Sequence, residues 1–159
     1  MEILVSDLMT SDVVTVKKDM EVHELEQLFL AKGIHGAPVV DERDRLVGVV
    51  SQTDLLAWHY QTGHDGGGFY EPADLRGADR MRGLHVSDVR TASVSEFMTP
   101  LVHAVRPDNS AAEATARMVR HKIHRLVVVD ADLHVKGILS AMDLLRLIPG
   151  VADVLKRRA

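Results

Sequence analysis

An α+β fold made of two copies of one β-α-β-β-α unit is the architecture this sequence predicts. The first observation behind it is an internal repeat. Ile34-His35 and Ile123-His124 lie 89 residues apart, and the same offset sets Gly48 on Gly137, Ser51 on Ser140, Asp54 on Asp143 and Met9-Thr10 on Met98-Thr99. No gap is needed between residues 5–56 and 94–145. Matched Gly, Asp, His and Met-Thr mark a duplication in a way that scattered apolar matches do not. The second observation is that each copy holds two short runs rich in β-branched residues around a polar turn, the pattern of a hairpin. The third is apolar spacing of helical period on both sides of each hairpin.

In order, Val5-Ser6-Asp7-Leu8-Met9-Thr10 reads as a helical turn or lead-in, with Ser6 or Asp7 as its cap. Val13 to Val16 is a short strand. After Asp19 a helix of 21–32 buries Val22, Leu25, Leu28 and Phe29, and Gly33 closes it. Ala37–Val40 and Leu46–Val50 form the hairpin around Asp41–Arg45, and Ser51 or Thr53 caps a helix running to Tyr60. Residues 57–93 have no counterpart in the repeat. Four glycines between Gly63 and Gly68, followed by Glu71-Pro72, predict a loop there, with Leu75, Met81, Leu84, Val86 and Val89 available for packing. The second copy opens at Val94 and predicts a strand at 102–105, a helix at 109–121, a second hairpin and a helix at 141–147. Pro149-Gly150 breaks the chain before a last short helix over Val151–Lys156, whose Lys156-Arg157-Arg158 end suits a helix C-terminus. The division expected is 1–62 for the first repeat, 63–93 for the insert, 94–148 for the second repeat and 149–159 for the tail.

A chain of 159 residues is long enough to bury about 70% of its unfolded surface. It has no cysteine, which removes disulfides, thiol catalysis and Cys-based zinc sites and fits a reducing cytoplasm. No secretory pattern and no apolar run of membrane-spanning length is visible. A net charge of −4 and an aromatic content of 4% argue against nucleic-acid, membrane-surface and base-stacking partners.

Each copy carries Gly-apolar-apolar-Ser-x-x-Asp: Gly48-Val49-Val50-Ser51-Gln52-Thr53-Asp54 and Gly137-Ile138-Leu139-Ser140-Ala141-Met142-Asp143. With Ser-(Asp/Glu)-x-Met-Thr upstream and Ile-His before the hairpin, the chain resembles the CBS domain family, and the two copies resemble a CBS pair, or Bateman module. The resemblance covers both repeats but neither the insert nor the tail. It implies repeats packed sheet to sheet about a pseudo-twofold axis, two equivalent clefts, adenosine-containing ligands and a disc-shaped homodimer, in keeping with closed twofold assembly. The ligands implied are AMP, ADP or ATP, with S-adenosylmethionine or NADH as further candidates.

The residues point to related chemistry without the family. An Asp at a helix start, three residues after a strand-ending Ser, can accept from two vicinal ribose hydroxyls, and a helix N-terminus favours phosphate. Ser51, Thr53 and Asp54 form one such corner, and Ser140, Met142 and Asp143 lie at the other. Plain helix capping is the competing reading of both. The resemblance implies that adenine lies against Val13, Val14 and Thr15 with His35, Gly36, Ala37 and Pro38. The second set implied is Val102, His103 and Ala104 with His124, Arg125, Leu126 and Val127. Arg125 resembles the family's phosphate-contacting arginine, and a guanidinium offers two donors to phosphate. Gly36 stands in its place in the first repeat, so the clefts are expected to differ. Pairing of Arg125 with Asp130 or a partner subunit is the alternative. His35 and His124 read equally as phosphate donors or packed rings, and Lys136 and His121 add only general positive potential.

A metal site would draw on His59, His64 and Asp65, which lack rigid helical spacing, and none is expected. No nucleophile with a base in reach is visible, so no catalytic residue is assigned and an enzyme is not expected. The sequence therefore predicts a regulatory ligand-sensing module acting on a partner protein. The alternative is a ligand-free scaffold that works through dimerisation, with its clefts closed by the insert.

Overall fold

The computed structural model describes residues 2–61, 92–100 and 102–149. Most of the 57–93 insert, including His64 and Asp65, and the last helix expected over 151–156 lie outside the described residues. The first repeat contains β1 (Val16–Lys17), α1 (Val22–Lys32), β2 (Gly36–Val40), β3 (Leu46–Ser51) and α2 (Gln52–Gln61). The second contains β4 (Ala104–Val105), α3 (Ala111–His121), β5 (Arg125–Val129), β6 (Val135–Ser140) and α4 (Ala141–Leu145). The sheets are β1-β2-β3 and β4-β5-β6, each with a parallel first pair and an antiparallel hairpin. This is the expected α+β duplication.

The central strands β2 and β5 are buried along Ala37–Val40 and Leu126–Val129, while β3 and β6 alternate between more and less buried positions. A middle strand covered on both faces reads as a continuous apolar run, and a flanking strand need not. The first strand of each repeat is shorter than the sequence suggested. Val16 and Lys17 pair with Val39 and Val40, and Ala104 and Val105 with Val127 and Val128. Among the described residues Val13–Thr15 and Val102–His103 have no ladder partner, and they stay outside the strands. Likewise α4 ends at Leu145, and Arg146 to Ile148 continue in tighter i→i+3 turns.

Gly33 ends α1 at φ 62°, and Lys122, its counterpart, ends α3 at φ 54°. Ser110 caps α3, its hydroxyl accepting from the Glu113 N–H at 3.1 Å. In the lead-in it is Asp7 that acts, its carboxylate accepting from the Leu4 N–H at 2.9 Å.

The two lead-ins change places. Residues 3–10 dock on the second repeat: Thr10 exchanges two backbone hydrogen bonds with Ile138, and Val5 donates to Asn109. Residues 92–99 dock on the first: Thr99 exchanges two with Val49, and Val94 donates to Met20. Val5 and Leu8 therefore belong to the core of Val105, Ala114, Met118, Leu126 and Leu139, whereas Val94 belongs to that of Val16, Leu25, Phe29 and Val39. A Cβ at Gly48 would stand 2.7 Å from Met98 Sδ, and one at Gly137 2.8 Å from Met9 Sδ. The matched glycines and Met-Thr pairs are thus two halves of one contact, made twice. These bridges are reciprocal under the repeat, and Arg45 bridges its own counterpart His134. That bridge marks the pseudo-twofold axis about which the repeats pack.

Candidate functional site

Where the repeats meet, a cavity of about 550 Å³ opens, within the range of small-molecule sites. Its apolar walls come from Ala37, Pro38, Val49 and Val50 on the first sheet and Leu126, Val127 and Ile138 on the second. Thr99 comes from the crossing lead-in of the second repeat, and Val102 and His103 from the stretch just before β4. Ser51, Thr53 and Asp54 contribute the polar corner at the start of α2, and Arg125 contributes the guanidinium at the start of β5.

Both acidic corners are capping boxes. Asp54 Oδ2 accepts from the Ser51 N–H and hydroxyl, each at 2.7 Å, and the Asp54 N–H donates to Ser51 Oγ at 3.3 Å. Asp143 does the same with Ser140 at 2.8, 2.6 and 3.3 Å. Ser51, rather than Thr53, is the cap. Each box engages one carboxylate oxygen. Among the described residues the other oxygen, Oδ1, accepts nothing, so capping and ligand binding are compatible at one side chain. Asp54 is half-buried at the cavity edge.

Arg125 is exposed and has no carboxylate within ion-pair distance among the described residues. The alternative pairing with Asp130 is not made. Asp130 is answered by His134 at 3.3 Å and Lys136 at 3.2 Å, which also accounts for Lys136. Partial burial works to raise the Asp130 pKa, but N–H donation from His134, the Lys136 ammonium and the Asp132 N–H hold it at about 2. Asp41, its counterpart, is held at about 2 by the Arg45 backbone N–H and guanidinium. Asp130, Asp132 and His134 lie within 4.8 Å of one another. The Asp130 carboxylate is nevertheless committed to the turn's own N–H groups and Lys136. His35 lines the cavity with Nδ1 at 3.0 Å from Gln52 Oε1.

The grouping of these residues differs from the one expected. His35–Pro38 share their cavity with Val102 and His103 of the second repeat, not with Val13–Thr15. Arg125, from the second repeat, shares the cavity of Asp54, from the first. Ala104, His124, Ser140, Met142 and Asp143 do not line it. By the repeat correspondence Val13 and Val14 go with Ser140, Met142 and Asp143, and Gly36 stands there for Arg125. Sequence reasoning passed over Val49, Val50, Thr99, Ile123 and Ile138. The pairing of Thr10 with Thr99 and of Val49 with Ile138 in the repeat was the available signal.

The family model of the CBS domain matches residues 5–60 and 94–150. The chain belongs to the CBS domain family. It is 31% identical over 148 residues to the chloroplastic CBS domain-containing protein CBSX2 of Arabidopsis thaliana, covering 89% of this chain and 62% of that one. An uncharacterized protein of Methanopyrus kandleri matches at 42% identity over 55 residues, 35% of this chain and 28% of that protein. The chain thus spans less than two thirds of both relatives. The crystal structure of CBSX2 in complex with AMP aligns with a TM-score of 0.68 at 29% identity, covering 98% of this chain and 99% of that one. A CBS domain of a CBS domain-containing membrane protein from Sphaerobacter thermophilus aligns with a TM-score of 0.66 at 28% identity, over 92% and 88% of the two chains. Among the described residues no helix of this CBS pair is long and apolar enough to cross a membrane.

Proposed function

We propose that this CBS pair is a regulatory module, not an enzyme, that binds an adenosine-containing ligand of the AMP, ADP or ATP type in the Asp54 cavity. The observation that carries the reading is one apolar-walled cavity that holds, among the described residues, a carboxylate oxygen without a donor and a guanidinium without an acceptor. The AMP complex of CBSX2, at 29% identity, supports the ligand class. In this reading Asp54 Oδ1 accepts from the ribose hydroxyls, with Ser51 and Thr53 beside it. Ala37, Pro38, Val102, Leu126 and Val127 enclose the base, and Arg125 takes the phosphate with two donors. The second corner, Ser140 and Asp143, has no guanidinium at the Gly36 position and binds charged ligands less well.

Because the cavity draws walls from both repeats, a ligand there bears on how the repeats sit against each other. Regulation of a partner follows if the ligand binds one arrangement more tightly than another. Thermal melting with AMP, ATP, S-adenosylmethionine and NADH tests the reading. A ligand at 100 times its Kd adds about 2.7 kcal/mol of stability, and the adenine nucleotides are expected to shift the melt. No shift with any of the four would favour the scaffold.

A further inference from the structure

His103 lines the Asp54 cavity and stacks on His121, with ring centroids 4.1 Å apart and planes 30° from parallel. His23, His59 and His134 each have a carboxylate within 3.3 Å. The stacked rings have none among the described residues. Their surroundings are cationic instead. Arg117 and Arg120 lie on the same helix as His121, with Arg117 donating to the Ala104 carbonyl, and Arg125 opens onto the cavity from β5. Across the cavity stand His35 and Asp54. Glu113 shares a groove with Arg117 and Arg120, its Oε2 accepting from the Ser110 N–H and the Asn109 amide at the N-terminus of α3.

The fold does not require this concentration of charge. The counterparts of His103, Arg117, Arg120 and Arg125 in the first repeat are Val14, Leu28, Ala31 and Gly36, and the two repeats fold alike. His103 and Arg125 line the Asp54 cleft, and Arg117 and Arg120, on the helix that carries His121, line a second groove with Glu113; cations in this number complement a ligand that brings several negative charges.

We propose that the stacked His103–His121 pair reads the charged tail of a nucleoside phosphate, taking up one proton from solvent as the ligand binds and returning it on release. This rests on the nucleotide reading of the Asp54 cavity. Two imidazoles face to face cannot both be cations cheaply beside two arginines. Partial desolvation, followed by the positive charge of His103, Arg120 and Arg117, lowers the pKa of His121 from its ordinary 6.5. An incoming phosphate reverses the balance and favours the protonated ring. Affinity for the phosphorylated ligand then rises as pH falls through the pKa of the bound state, and the gain is complete below that of the free state.

The test is isothermal titration of the full chain with ATP and with adenosine, in two buffers of different ionisation enthalpy, which counts protons exchanged per ligand bound. Uptake of up to one proton with ATP and none with adenosine is expected, with ATP binding roughly three- to tenfold tighter at pH 6 than at pH 8, since one unit of pKa shift is a factor of ten. His121→Asn keeps a planar polar group but cannot titrate, and it removes the ATP-linked uptake; His103→Asn does the same. ATP that binds without proton exchange, or with an uptake that survives both substitutions, overturns the proposal and leaves the nucleotide reading standing. If neither ATP nor adenosine binds, both fall together.

Discussion

Arg125 and Gly36 hold the same place in the two repeats, at the first residue of β5 and of β2. That difference was legible in the sequence. So was the expectation that the clefts differ; what the sequence did not show is that Arg125 shares its cavity with Asp54 of the other repeat. A charged hydrogen bond contributes about 1.5–3 kcal/mol, so Arg125→Ala should weaken AMP and ATP by roughly ten- to a hundredfold and adenosine by much less. Calorimetric titration with all three decides it, and an equal loss for each would show that the guanidinium does not read phosphate. Lys122 illustrates a different limit. Gly33 was readable as a helix terminator, whereas its counterpart adopts the same left-handed backbone, φ 54°, with a side chain that disfavours it. The turn into β5 imposes that geometry over local preference. A non-glycine residue there costs about 1 kcal/mol, so Lys122→Gly should raise the midpoint of urea unfolding, and a lowered midpoint would refute the assignment.

At the scale of elements, the hairpins were the clearest feature of the sequence and the first strands the faintest. Two-residue strands leave no periodicity to read. Both hairpin turns are tied by an aspartate. Asp41 Oδ1 accepts from the Arg43 and Arg45 N–H groups, and Asp130 Oδ1 from those of Asp132 and His134. Both carboxylates titrate near 2, below the ordinary value of about 3.9. A group whose pKa is depressed on folding contributes stability above its unfolded pKa and loses it as pH falls toward the folded one. The window is therefore about pH 4 down to pH 2. The Asp41→Asn, Asp130→Asn double variant should lose less melting temperature between pH 5 and pH 2.5 than the parent chain does. Parallel losses would show that the two turns take no part in acid unfolding.

For the whole molecule, the exchange of lead-ins makes each repeat incomplete alone. The duplication disclosed two equivalent units, but nothing in a linear pattern says that residues 5–9 serve the second core and 94–98 the first. Val94 is 0% exposed in the first core, with Phe97 and Met98 packed beside it. Side chains of this kind each contribute about 1.5–3 kcal/mol when buried, set against a typical total of only 5–15 kcal/mol. A fragment of residues 1–61 lacks that segment and leaves its own Val5, Leu8 and Met9 without a core. Because Val5 and Met9 are the counterparts of Val94 and Met98, a second copy can supply what is missing. The fragment should therefore fold only as a dimer in which two copies trade lead-ins. Its melting temperature should rise with concentration, and sedimentation should show no folded monomer. A stable monomeric fragment with a concentration-independent melt would mean that the lead-in can fold back onto its own repeat, and that the crossing is a preference of the intact pair rather than a condition for folding.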